Sequence, residues 1–94
     1  MDIQGRVLAS FPDIGLPAHL SIARGCVLVA DYDNDRILQL SSDLKLQCVL
    51  IDKSHSQVKL KKPERLCYNE LKSQLYVVHS GDVISLFTVQ GRIQ

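Results

Sequence analysis

Five consecutive positions, Asp31-Tyr32-Asp33-Asn34-Asp35, carry alternating side-chain oxygens in the manner of an opening calcium loop. Such a loop needs Gly at its sixth position and a bidentate Glu at its twelfth. This chain has Arg36 and Ser42 there, and a guanidinium at the sixth place repels a cation. Calcium is therefore not expected. The same residues read as a tight turn closed by a clamp, in which Arg36 uses its planar, multi-donor head to reach back to Asp31 or to turn carbonyls. A second set is basic: Lys53, His55, Lys59, Lys61, Lys62 and Arg65, diluted by Asp52 and Glu64. If the strands around it form one sheet, this set lies on the same face as Tyr32 and Asp33, and its charge raises the question of an RNA ligand. RNA recognition wants stacking aromatics beside the charge, and only Tyr32 offers one. At a net charge of +1 the favoured reading is a solvated loop. His19, His55 and His79 are scattered. There is no His-x-His or Cys-x-x-Cys, so neither zinc nor any other cofactor is expected. Cys26, Cys48 and Cys67 lie in apolar strand patterns without an evident base and read as reduced, packed core thiols. Their odd number suits a reducing, cytoplasmic location. Paired catalytic carboxylates, Gly-x-Ser-x-Gly and a phosphate-cradling loop are missing from the sequence, so it does not read as an enzyme.

These side chains must be positioned by strands. Leu20 to Ala23 is a first strand, Arg24-Gly25 a turn, and Cys26 to Ala30 an unbroken apolar run of the kind buried on both faces. Asp31 to Asp35 turns the chain, and Arg36 to Leu40 is a third strand. Ser41-Ser42-Asp43 turns it again into a fourth strand, Leu44 to Ile51. Asp52 to Lys62 is a polar crossover, and three more strands follow, ending near Val89. Ahead of all this, Gln4 to Phe11 reads as a strand entered through a Gly turn, with Pro12 to Leu16 crossing onward. No segment has capped helical periodicity, and neither a membrane-spanning run nor a signal-peptide pattern is seen. The predicted class is all-β.

The spacing Pro17-x-x-Leu20-x-Ile22, then Val27-Leu28-Val29-Ala30-Asp31, then Asn34-x-Arg36-Ile37 resembles the NHL repeat, one four-stranded antiparallel blade of a β-propeller. Self-similarity agrees. Pro63-Glu64-Arg65-Leu66 follows Pro17-Ala18-His19-Leu20 at 46 residues, Leu75 to His79 follows Val27 to Asp31 at 48, and Ile84 to Phe87 follows Ile37 to Leu40 at 47. In the second copy Asp31 becomes His79 and Arg36 becomes Val83, with Gly81-Asp82 making a shorter turn. The resemblance implies two blades per chain, and for some relatives an RNA- or protein-binding loop face. Others hold zinc through channel-lining histidines, which singles out His19, whose counterpart is Arg65. A satisfied rim histidine is the simpler expectation.

The ends suggest how the blades are completed. Gln90-Gly91-Arg92-Ile93 nearly duplicates Gln4-Gly5-Arg6-Val7 at a distance of 86 residues, or two repeats of 43. The expectation is that residues 1–11 are an outer strand completing a neighbour's blade, 12–51 a first blade, and 52–94 a second blade lacking its outer strand. Gly5, Arg6, Val7 and Leu8 of one chain would close on Ile84, Leu86 and Gly91 of another. A free two-blade unit would leave large apolar side chains in water, each forgoing roughly 1.5–3 kcal/mol. Propellers of this family usually have six blades, so three chains would form a ring. The expected protein is a self-assembling homotrimeric scaffold that partners itself and no membrane, from an excised or engineered fragment. The alternative is an RNA- or protein-binding NHL module of a larger regulatory protein.

Overall fold

A computed structural model describes residues 5–52, 54 and 59–89 of the 94-residue chain. Seven strands form in order: β1 Pro17–Ala23, β2 Cys26–Asp31, β3 Arg36–Ser41, β4 Leu46–Asp52, β5 Arg65–Asn69, β6 Gln74–His79 and β7 Val83–Thr88. They make two antiparallel meanders, a four-stranded sheet β1-β2-β3-β4 and a three-stranded sheet β5-β6-β7. The all-β class is seen, with one short 3-10 turn at Tyr32–Asn34.

Alternation along the strands gives each sheet two faces. In the first sheet, His19, Ser21, Leu28, Ala30, Ile37 and Gln39 share one face by register, and Leu20, Ile22, Val27, Val29, Leu38 and Leu40 share the other. In the second sheet, Leu66, Tyr68, Leu75, Val77 and Phe87 share a face, opposite Arg65, Cys67, Tyr76, Val78, Ile84 and Leu86. The main core lies between the sheets, where Leu28, Ala30, Ile37 and Ile51 meet Leu66, Leu75, Val77 and Val89. Leu60, from the crossover, is fully buried in the same core. A smaller core forms on the far face of the first sheet, where Phe11 and Ile14 pack over Val27, Val29, Leu38 and Leu40. The run Cys26–Asp31 is buried throughout because it has a core on each side.

Three departures from the sequence reading exceed one residue. β1 begins at Pro17 because Pro17 already pairs opposite Asp31, while the Tyr32 N–H donates to the Leu16 carbonyl at 2.9 Å. β4 begins at Leu46. Leu44 is used up in the turn at φ +64°, and the Ser41 N–H closes that turn on the Lys45 carbonyl at 2.8 Å. Residues 5–14 belong to no strand among the described residues, and Val7 and Leu8 are exposed.

Candidate functional site

The Asp31 carboxylate is the hub of the first repeat. It ends β2, fully buried, directly opposite Arg36 at the start of β3. Arg36 Nε donates to its Oδ2 at 2.8 Å and Asn34 Nδ2 to the same oxygen at 2.9 Å. Oδ1 accepts the Gly15 N–H at 3.1 Å and the Leu16 N–H at 3.4 Å. Arg36 Nη2 also donates to the Asp13 carbonyl at 3.1 Å, so the ion pair holds the incoming crossover as well as its own turn. Gly15 is required by this approach: a Cβ there would meet Asn34 Nδ2 and Asp33 Cβ at 2.9 Å. Burial disfavours the Asp31 carboxylate, but the hydrogen bonds from Asn34, Arg36 and Leu16 and the Arg36 charge outweigh it. The carboxyl is held below its ordinary 3.8.

His79 takes the matching place in the second repeat, opposite Val83. It is buried, with Nδ1 3.0 Å from Ser80 Oγ and Nε2 2.8 Å from Ser85 Oγ. Burial pushes its pKa below the ordinary 6.5. A neutral ring satisfied by two hydroxyls thus replaces the charged clamp, and the second turn manages without an arginine.

The loop face is partly assembled. Asp35 Oδ1 accepts the Lys62 N–H at 2.8 Å, and Lys62 Nζ lies 4.9 Å from the Tyr32 ring centroid. This joins the crossover to the first-repeat turn through a cation–π contact. Asp33, Lys59 and Lys61 are exposed on the described part of this surface, while Lys53 and His55 lie outside the described residues. Lys62 lies over one face of the Tyr32 ring, the aromatic that a stacked base would use.

His19 is on β1, an edge strand of the first sheet, where its Nδ1 accepts the Leu66 N–H of β5 at 3.1 Å. The bond ties the two sheets together and uses one of the ring's two possible ligand atoms. Among the described residues, no three His, Cys, Asp or Glu side chains gather to hold a metal ion. The cysteines correct one expectation. Cys26 is buried, Cys48 is half-buried and Cys67 is exposed. Cys67 points outward because β5 turns Leu66, not its neighbour, into the core. Cys26 and Cys48 both lie against the buried Gln39 amide, at 3.7 and 3.8 Å.

The remaining candidates are apolar. On the outer face of the second sheet, Ile84 is 70% and Leu86 51% exposed, and a groove of about 330 Å³ runs there between His19, Arg65, Cys67, Tyr76, Val78 and Ile84. On the far face of the first sheet, Ile22 is 71% and Leu20 57% exposed beside the small Phe11–Ile14 core. Gly5 and Arg6 are exposed next to Val7 and Leu8, and Gly91 lies outside the described residues. The sequence reading singled out Ile84 and Leu86, used Leu20, Ile22 and Asn34 only as motif residues, and missed Gly15 and Leu60. The repeat offset held the signal: Ile14 maps onto Leu60, and Leu20 onto Leu66.

No family model, characterised protein or solved structure matches this chain. No helix among the described residues is long and apolar enough to cross a membrane.

Proposed function

We propose that this chain is a self-assembling pair of NHL-like propeller blades whose copies pack head to tail. Three chains would close a six-bladed ring that serves as a structural or binding scaffold. The observation that carries this reading is the pair of exposed apolar faces, Tyr76, Ile84 and Leu86 on the second sheet and Leu20 and Ile22 on the first. They lie on opposite sides of the two-sheet stack, so a contact between them is heterologous, and repeated heterologous contacts close into a ring when the rotation permits. Patches of this kind mark association surfaces. The β7 edge carries no partner strand among the described residues, and the Val7–Leu8 segment is exposed, which supports its supplying that strand to a neighbour.

Sedimentation equilibrium of the 94-residue chain at micromolar concentration tests the proposal. A mass of three chains is expected, and a folded monomer would refute it. Ile84→Asp is expected to give folded monomers, because it sets a charge in the contact while leaving the chain's own core untouched. The same variant assembling like the parent would also refute the reading. The RNA- or protein-binding alternative draws on Lys59, Lys61 and Lys62 beside Tyr32, and would show itself as salt-sensitive RNA retention.

A further inference from the structure

The chain contains one complete junction between repeats, the contact of its own two sheets, and the repeat offset converts that junction into a blueprint for the contact between copies. The face of the first sheet that packs inward carries His19, Ser21, Leu28, Ala30, Ile37 and Gln39. Their offset partners are Arg65, Cys67, Tyr76, Val78, Ile84 and Leu86, the exposed outer face of the second sheet. The receiving face inside the chain carries Leu66, Tyr68, Leu75, Val77 and Phe87, and the crossover residue Leu60 is buried between the sheets. The partners of these six are Leu20, Ile22, Val27, Val29, Leu40 and Ile14, the far face of the first sheet with the crossover residue already seated on it. The outer faces thus correspond to the inner ones in register, with Leu86 standing where the inner face has Gln39, and with Leu20 and Ile22 left exposed while Val27, Val29 and Leu40 are already covered within the chain.

At one position the difference removes a hydrogen bond across the junction. Within the chain, His19 Nδ1 accepts the Leu66 N–H across the junction. The corresponding pair between copies is Arg65 and the Leu20 N–H. A guanidinium only donates hydrogen bonds, so it cannot accept from an N–H. We infer that the outer face of the second sheet receives the far face of the first sheet of another copy in the register of the internal junction, with Arg65 opposite Leu20 and without the hydrogen bond that His19 supplies inside the chain. The inference rests on the assembly reading above and adds to it the register and the weak point. Arg65 borders the groove of about 330 Å³ beside Cys67 and Ile84, so its side chain has room to turn aside when the second copy arrives.

Arg65→His restores the missing acceptor. In sedimentation of the full chain it is expected to tighten association about three- to tenfold, the worth of one net hydrogen bond, with the circular dichroism of the subunit unchanged. Arg65→Ala should not reproduce the gain. Cys67, exposed in the single chain, should be alkylated by iodoacetamide more slowly as the concentration rises through the association range, with the labelled peptide identified by mass. If the parent chain assembles but Arg65→His tightens nothing, or Arg65→Ala tightens equally, the register is wrong while the assembly reading stands. A monomeric parent chain overturns both.

Discussion

Replacing Asp31 by Ala removes the acceptor for four donors: the Gly15 and Leu16 N–H groups, the Asn34 amide and Arg36 Nε. Breaking a buried ion pair by removing one partner costs about 3–5 kcal/mol, because the other charge is left behind. The lower end applies here. The Arg36 side chain is 26% exposed and keeps the Asp13 carbonyl, and Asn34 is exposed enough for water to replace the carboxylate. A loss of about 3 kcal/mol is expected, a large share of the roughly 5–14 kcal/mol typical of a domain this size. In urea at fixed protein concentration, with a slope of about 1.5 kcal/mol/M, the midpoint falls by about 2 M. The concentration must be fixed because association adds to apparent stability. The decisive comparison uses Arg36→Met as background. With no orphaned guanidinium, Asp31→Ala should cost about 1–2 kcal/mol less there. A cost below about 0.5 kcal/mol in the parent chain, or an equal cost in both backgrounds, refutes the hub argument.

The other parts of the fold make their own predictions. Gly15→Ala forces a Cβ against Asn34 and Asp33 and should destabilise by about 1–3 kcal/mol, read in the same urea assay. Leu60→Ala empties a fully buried position between the sheets and should cost about 2–5 kcal/mol. The buried His79 ring titrates below 6.5, so the folded chain binds fewer protons than the unfolded one between that lowered value and 6.5. Its contribution is whole above 6.5 and is lost as pH falls through the folded-state value. The melting temperature should therefore drop between neutral and mildly acidic pH, and His79→Gln should flatten that slope.

Much of the architecture was legible because period-2 alternation and turn chemistry are local signals. The apolar run Cys26 to Ala30, the polar turn after it and the Asp31–Arg36 spacing gave the first three strands, and the offset of 46 to 48 residues gave the second sheet. The Asp–Arg pairing was readable because the two residues flank one turn. What was hidden depended on contacts between distant segments. The approach of Gly15 to Asp31 spans 16 residues and the His19–Leu66 bond 47, and neither has a local signature. Cys67 was misread because a thiol on an alternating strand belongs to either face, and only the packing of Leu66 decides which. Gln4 to Phe11 was read as a strand from its Gly turn and its likeness to Gln90-Gly91-Arg92-Ile93, yet its described residues, 5–11, pair with no described strand, and a short sequence likeness does not fix a strand partner.

Loop contacts join the two sheets on either side of the seam between β1 and β5. At one end Lys62 bridges to Asp35 and Tyr32, and at the other the Arg24 N–H donates to Glu70 Oε1 at 3.2 Å, with Arg24 Nε 3.8 Å from Oε2. The exposed Arg24–Glu70 pair adds little by itself, so the buried seam between the two contacts sets the angle between the sheets. Under the assembly proposed above, that angle decides how many copies complete the circle.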